Sequence, residues 1–314
     1  MDLFGTNYLK IRNDFLLPLI PYGISKNKIE YWSLKDVLTT NIISVQHIGK
    51  SRVDIELSKE DFYRALHCEI ELFLNKTIIQ YCDSVQSIAQ SRSWSYVSFY
   101  YFSFFCSTTF SRFLHRGYLF LSKVQKERIE KFHLAVYSTP IMLETGNYYF
   151  YTKEDENGKM IISLNFAGSN VHKLSWTNLE VTLRDGLPFC TDKEKVIYEA
   201  LLKIFSTFST EFPSRLRNDL NYNSQHSIVD INSMIPYLNL EGINNNYFKS
   251  LLALDLSSSF TNELKAAGHI SVFLYKIIMQ LYSEYRERSK FGSDFEKVRE
   301  TYLQDRKINF LTLL

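Results

Sequence analysis

Glycine and proline are scarce in this chain of 314 residues, with 11 and 6 occurrences, and neither sign of charge dominates. So few chain-breaking residues argue against a disordered, loop-rich or repeat-linker protein. The 36 basic residues nearly balance the 34 acidic ones, which leaves a net charge of +2. This excludes a surface that binds nucleic acid through bulk charge, although a local basic patch remains compatible with the composition.

Cysteine is also sparse, and the familiar catalytic motifs are absent. The four cysteines have no C-x-x-C spacing and lie among apolar neighbours, so we expect buried, reduced thiols. The sequence contains no H-E-x-x-H, no G-x-x-x-x-G-K, no G-x-G-x-x-G and no G-x-S-x-G. These absences argue against a zinc protease, against a nucleotide-binding fold with a glycine-rich phosphate loop, and against a serine hydrolase. We therefore expect no metal site and no cofactor.

The longest apolar run is Trp94–Phe110, which reads WSYVSFYYFSFFCSTTF. It has about the length of a short membrane span. However, serine, threonine and tyrosine hydroxyls interrupt it, and Arg92 and Arg112 flank it closely. Hydroxyls in hydrocarbon need partners, so the run predicts a buried core helix and no membrane association. The N-terminus has no basic region followed by a small-residue cleavage site, which favours a cytoplasmic protein.

A second long helix is predicted at Lys59–Gln86, where apolar residues recur with helical spacing after a Ser58 cap. The helix that contains the Trp94 run is expected to begin near Val85 and to continue to Leu121, with a break at Gly117, and to pack antiparallel to the Lys59–Gln86 helix. Asn157-Gly158 lies between two strand-like runs and predicts a β-hairpin over residues 147–166, while Asn41–Leu57 suggests a shorter one. The predicted fold class is therefore mainly α: a long antiparallel helix pair with additional helices, an inserted β-hairpin and a small mixed N-terminal segment.

The same patterns divide the chain into three parts. Residues 1–57 form the mixed N-terminal segment, and residues 58–257 form the helical core with the hairpin, in which a capping box at Thr191 opens one helix. Residues 258–314 form C-terminal helices that pack on the core, the longest at about Phe260–Arg288.

The polar segment from Pro213 to His226 is the strongest candidate for chemistry. Arginine offers fixed donors to phosphate oxygens, and histidine can move the proton of a ribose 2′-hydroxyl, so the segment suits a phosphodiester. We assign catalysis to Arg217, Asn218, Tyr222 and His226, and substrate binding to Arg215, Asn221, Arg112 and His115. In the alternative interpretation Arg215 and Asp219 form an ordinary surface pair, and Arg112 and His115 simply complement the end of a helix dipole.

The Trp94 run, with its Tyr100-Tyr101 pair and following phenylalanines, resembles the helix pair of HEPN-type domains. Members of that family frequently act as metal-independent ribonucleases in toxin–antitoxin and antiviral systems. Their motif is an arginine, a polar residue and a histidine after four to six intervening positions. Here Arg217-Asn218 matches its opening, but eight residues separate Arg217 from His226, and Tyr222 lies where the histidine is usual. Arg128 and His133 have the usual spacing, but Ile129 follows the arginine.

The resemblance implies a cytoplasmic protein of a prokaryotic defence or toxin system that cleaves RNA as a homodimer. Arg217 would hold the phosphate, His226 would serve as base, and Asn218 and Tyr222 would orient the substrate. A competing hypothesis is a non-catalytic subunit that uses its aromatic helices and the hairpin to assemble with partner proteins. Specific nucleic-acid binding without cleavage is a third.

Overall fold

The computed structural model describes residues 5–23, 33–49, 51–168, 170–222, 247–288 and 293–305. Its helices are α1 (Thr6–Ile11), α2 (Leu17–Leu19), α3 (Leu34–Thr40), α4 (Lys59–Ser87), α5 (Arg92–Phe113), α6 (Lys123–Tyr137), α7 (Val171–Gly186), α8 (Asp192–Phe208), α9 (Phe212–Tyr222), α10 (Tyr247–Leu252), α11 (Phe260–Arg288) and α12 (Ser293–Asp305). Its strands are β1 (Ser44–His47), β2 (Arg52–Leu57), β3 (Arg116–Leu121), β4 (Gly146–Glu154) and β5 (Met160–Gly168).

The predicted helix pair is confirmed as α4 and α5. Ser58 and Ser91 cap the two helices by accepting hydrogen bonds from Asp61 N and Trp94 N. Near the connection between the helices, the Ser95 hydroxyl donates to the Ser84 carbonyl at 2.5 Å. Farther from this connection, Phe105 of α5 stacks on Phe73 of α4, and Arg112 of α5 pairs with Glu69 of α4. Residues later in α5 thus meet residues earlier in α4, so the helices run antiparallel. No helix of the described residues is long and apolar enough to cross a membrane.

The predicted fold class, mainly α with an inserted hairpin, is wrong. The structure contains a five-stranded antiparallel sheet in the order β1-β2-β5-β4-β3, so the fold is mixed α/β. The predicted hairpin exists as β4 and β5, but these strands lie inside the sheet and do not project from a helical body. The predicted hairpin near residue 50 exists as β1 and β2, and β2 pairs along its whole length with β5.

The sheet follows from alternation along each strand. Val53, Ile55, Phe150, Ile162 and Leu164 are fully buried on one face, where they join the same hydrophobic core as the long helices. Hydrophobic patterning within β4 and β5 identified a hairpin. It could not identify which strands pair on each side, because β2 lies more than 100 residues before β5 in the sequence, and β3 is separated from β4 by the whole of helix α6.

The edge strand β3 was absent from the sequence prediction, which continued the aromatic helix to Leu121 with a break at Gly117. The structure ends α5 at Phe113, and His115 turns the chain in the left-handed region with φ of 52°. Arg112 then holds the strand edge: Nη1 donates to the Arg116 carbonyl at 3.1 Å and Nη2 to the Tyr118 carbonyl at 2.7 Å. An edge strand whose carbonyls are occupied in this way is less available to foreign strands.

Gly117 lies between those two carbonyls with φ of +141°, and a Cβ atom there would lie 2.0 Å from Arg112 Nη1. We expect Gly117→Ala to lower the free energy of unfolding by about 3 kcal/mol, since it combines backbone strain with overpacking. Gly49 is a matched control, because its φ of +123° is similar but a Cβ atom would meet nothing within 4 Å. In urea unfolding, Gly49→Ala should lower the free energy of unfolding only by the cost of the backbone strain, about 1 kcal/mol. Equal losses at the two positions would contradict the steric explanation.

Helix α5 is the element around which the other helices gather. Its Ser103 hydroxyl hydrogen-bonds Ser271 of α11, and its Ser111 hydroxyl accepts from the Asn178 side chain of α7 at 2.8 Å. Its Tyr100 hydroxyl meets Ser214 of α9 at 3.1 Å. The small hydroxyl residues that interrupt the aromatic run are therefore the places where neighbouring helices are joined to α5.

Candidate functional site

Arg217 lies on α9 against the aromatic pair of α5. Its guanidinium carbon is 5.2 Å from the centre of the Tyr100 ring and 5.8 Å from that of Tyr101. Nη1 donates to the Tyr101 hydroxyl at 3.1 Å, and Nη2 donates to the Asn218 side-chain oxygen at 2.5 Å. Nε is buried and has no hydrogen-bond partner in the described part of the chain. The guanidinium has five N–H groups, so several remain for an anion.

A histidine that the sequence analysis did not select lies at the same aromatic pair. His172 is the second residue of α7, whose start is capped by the Asn170 side chain. Its Nδ1 is 2.9 Å from the Tyr100 hydroxyl, and its ring centre lies 6.0 Å from that of Tyr101. Tyr100, Tyr101, His172, Ser214 and Arg217 thus come from three helices, and we call them the Arg217–His172 site.

Electrostatics keep the imidazole of the Arg217–His172 site neutral. Burial lowers the pKa of His172 below 6.5, and the positive charge of Arg217 lowers it further. Burial also raises the pKa of Tyr100, so its hydroxyl stays protonated. A neutral imidazole at neutral pH is able to accept a proton.

The hydrogen bonds around Tyr100 allow the form of His172 that acts as a base. When Nδ1–H donates to the Tyr100 oxygen, the Tyr100 hydroxyl donates onward to Ser214 Oγ at 3.1 Å. In this arrangement the lone pair of Nε2 is free, and no described residue hydrogen-bonds it. His172, Tyr101, Ser214 and Arg217 are each partly exposed, so a substrate can approach.

The other predicted residues of α9 lie around this site in different ways. Asn218 accepts a hydrogen bond from Arg217, while Asn221 is exposed and the Tyr222 side chain is 85% exposed beyond it. Arg215 lies on the far side of the helix and pairs with Glu263 at 2.6 Å. The predicted surface pair of Arg215 with Asp219 is thus replaced by a pair between α9 and α11. His226 lies outside the described residues.

Two predicted substrate-binding residues are buried away from the Arg217–His172 site. Arg112 is 2% exposed, and its guanidinium is occupied by Glu69 and by two carbonyls of β3. His115 is 3% exposed and packs edge-on against the rings of Phe15 and Tyr63. In this structure both residues hold elements of the fold together, and both side chains are almost completely buried.

The second predicted pair, Arg128 and His133, is split between two faces of α6. Arg128 is exposed, whereas His133 is buried and its Nδ1 hydrogen-bonds the Thr139 carbonyl at 2.8 Å. Residues five positions apart on a helix point about 140° away from each other, so the usual motif spacing does not bring them together here.

The sequence held only a weak signal for His172. It is a single histidine in the first turn of a capped helix, 45 positions before Arg217 (217 − 172). Only the packing of α7 and α9 on the same stretch of α5 makes the two residues neighbours. Within the described residues no group of three or more histidine, cysteine or acidic side chains could hold a metal ion.

Comparisons with protein-family models, with curated proteins and with solved structures found no match to this chain. A function has to be inferred from its own side chains.

Proposed function

We propose that this protein is a HEPN-like endoribonuclease that cleaves RNA without a metal at the Arg217–His172 site. The observation that supports this most is the meeting of an arginine with free N–H groups and a neutral imidazole on one tyrosine pair. The resemblance of the Tyr100-Tyr101 helix to HEPN-type domains supports the same reaction. It also suggests a role in prokaryotic defence or toxicity, with the protein working as a homodimer.

The reaction proceeds by attack of a neighbouring 2′-hydroxyl on phosphorus. Nε2 of His172 takes the 2′-hydroxyl proton, the O2′–P bond forms, and the P–O5′ bond breaks. The departing 5′-oxygen takes a proton from water, which leaves a 2′,3′-cyclic phosphate and a 5′-hydroxyl. Arg217 binds the phosphate oxygens, where charge develops in the transition state. His226, the base proposed from the sequence, is the second candidate for the same proton transfer.

The test is strand scission of a single-stranded RNA by the purified chain in the presence of a chelator, followed on a denaturing gel. We expect Arg217→Ala and His172→Ala to slow cleavage by about 100-fold or more, as for the loss of a general base or a transition-state donor. His47→Ala on β1 and Arg184→Ala near the end of α7 are matched controls, since both side chains are exposed. If His226→Ala slows cleavage and His172→Ala does not, His226 is the base.

Two results would overturn the proposal. One is unchanged cleavage in both Arg217→Ala and His172→Ala. The other is equal cleavage of a strand that lacks 2′-hydroxyls, because such a strand cannot form the cyclic phosphate.

A second candidate function is a non-catalytic subunit that docks on a partner protein. It is favoured by apolar side chains exposed at and after the end of α6: Leu134, Val136, Tyr137 and Met142. Exposed apolar clusters mark interaction surfaces. Absence of RNA cleavage by the wild-type chain would favour this candidate over the nuclease.

A further inference from the structure

A line of partly exposed aromatic rings leads away from the Arg217–His172 site. The Tyr101 ring is followed on α5 by Phe105, with ring centres 6.3 Å apart, and then by Phe73 of α4, another 6.3 Å on. Phe105 and Phe73 are stacked with 25° between their planes, and Tyr101 is tilted by 30° against Phe105. Each ring is only partly covered by the protein. We call Tyr101, Phe105 and Phe73 the aromatic row.

Two of the three cations over the aromatic row have no carboxylate partner in the described part of the chain, whereas the third, Arg112 over Phe73, is paired with Glu69. Lys76 Nζ is 5.4 Å from the ring centres of both Phe73 and Phe105, and its side chain is exposed. Arg217 covers the other end at Tyr101. Among the ion pairs of the described residues, neither Lys76 nor Arg217 is paired with an acidic group. The row therefore combines flat apolar surfaces with positive charge that the protein does not neutralise.

The row ends beside a mostly apolar cavity of about 430 Å³ between α4 and β3. Phe73 lines it together with Leu72, Tyr118 and Phe120. Its size and its mostly apolar, partly aromatic walls are typical of a site for a small organic group.

We propose that the aromatic row binds the bases of single-stranded RNA and delivers the strand to the Arg217–His172 site. This inference rests on the proposed function and names its substrate. Bases stack on exposed aromatic rings, and cations along the same line bind the phosphates between them. Because the rings are 6.3 Å apart, and stacked bases rise only about 3.4 Å, two bases that contact neighbouring rings must be unstacked from each other.

The unstacking requirement explains why a single strand is favoured over a duplex, whose bases are already stacked and paired. An apolar protein partner would also gain from the rings, but it would leave two cations without counter-charges. Phosphates supply those charges at each step of the strand.

The test measures fluorescence anisotropy of a fluorescein-labelled single-stranded RNA of about 12 nucleotides, a length within the usual site size for such grooves. Its 2′-hydroxyls are methylated so that it binds without being cleaved. We expect Phe105→Leu and Phe73→Leu each to raise Kd by about tenfold, which corresponds to loss of one base–ring stack. Lys76→Gln should reduce the slope of log K against log salt by about 0.7, the value for one phosphate contact on a single strand.

Phe189 and Lys10 provide the matched control. Lys10 Nζ lies 4.8 Å from the Phe189 ring centre, and Phe189 is exposed just after the end of α7 that is opposite His172. Phe189→Leu and Lys10→Gln should leave Kd and the salt slope unchanged. Lys76→Gln changes only an exposed side chain, so its result does not depend on whether the phenylalanine variants keep their fold.

The outcomes separate this inference from the proposed function. Unchanged Kd in Phe105→Leu and Phe73→Leu with an unchanged salt slope in Lys76→Gln, or equal affinity for the strand annealed to its complement, overturns binding by the aromatic row. Cleavage by Arg217 and His172 can still stand in that case. Row-dependent binding of the methylated strand, with no cleavage by the wild-type chain of the same sequence carrying free 2′-hydroxyls, overturns the nuclease and keeps the binding surface. Loss of a co-purifying protein in the row variants, with RNA affinity unchanged, assigns the row to a protein partner.

Discussion

Arg112→Leu is expected to lower the free energy of unfolding by about 3–5 kcal/mol, the usual cost of leaving a buried charge without its partner. Arg112 Nε donates to Glu69, a side chain that is itself buried and also accepts from the Leu34 backbone N–H at 3.1 Å. The substitution strips that carboxylate of its counter-charge and frees two carbonyls of β3. It therefore weakens the connections of α5 to α4 and to the sheet at once.

The control is Arg215→Leu, which removes another arginine–glutamate pair between two helices. The Arg215 side chain is 51% exposed, so its pair with Glu263 is screened by water and is worth about 0–1 kcal/mol. Urea unfolding followed by circular dichroism measures both variants. In the double variant Glu69→Leu with Arg112→Leu, part of the loss should be recovered, because no unpaired charge stays buried.

Equal losses for Arg112→Leu and Arg215→Leu would show that the buried pair is not what holds α4, α5 and β3 together. A double variant that simply adds the two single losses would show that Glu69 and Arg112 do not act as a pair.

Acid is expected to destabilise the protein well above the range in which carboxylates are protonated. Three histidines are almost fully buried, and burial lowers the pKa of His67 and His269 to about 4 and that of His115 to about 3. An unfolded histidine titrates near pH 6.5. As pH falls below that value the unfolded chain takes up protons that the folded chain does not, so the folded state loses stability.

The size of the effect follows from proton linkage. Each such histidine contributes at most about 1.4 kcal/mol for each pH unit between its two pKa values. Glu71 works in the opposite direction, since burial raises its pKa to about 7 and its protonated form favours the folded state. The net loss should be about 3 kcal/mol per pH unit between about pH 6 and pH 5.

Urea unfolding at a series of pH values measures this slope. His67→Gln is expected to reduce the slope by about 1.4 kcal/mol per pH unit, because glutamine does not titrate. Its amide can still hydrogen-bond the Tyr285 hydroxyl and the Leu19 carbonyl, which are the partners of the His67 ring. His47→Gln, which replaces an exposed side chain on β1, is the control and should leave the slope as it is. A His67→Gln protein with the wild-type slope would contradict the assignment of the proton uptake to that ring.

Local patterns in the sequence predicted local structure well. The long C-terminal helix was expected at about Phe260–Arg288 and has those bounds as α11. The Thr191 capping box opens α8, and Ser58 caps α4. Each of these features depends on neighbours within one or two helical turns, which is the distance over which capping and hydrophobic period act.

Such local patterns did not predict how the strands of the sheet pair. The run RGYLFL of β3 follows α5 without any turn signal of its own apart from Gly117, so it was assigned to the helix. It is a strand because it pairs with β4 and because Arg112 hydrogen-bonds two of its carbonyl groups. Both interactions depend on residues outside the strand. Strand pairing is a long-range choice, and short strands have little preference of their own.

By itself, the sequence determined the long helices, their caps and the two hairpins. Only the tertiary structure decided that the hairpins belong to one five-stranded sheet, that Arg112 and His115 are buried, and that His172 reaches the ring pair on which Arg217 lies. The reason is physical: hydrophobic period and capping act between near neighbours in the chain. The position of one side chain relative to another from a distant helix is set by how the helices pack on α5.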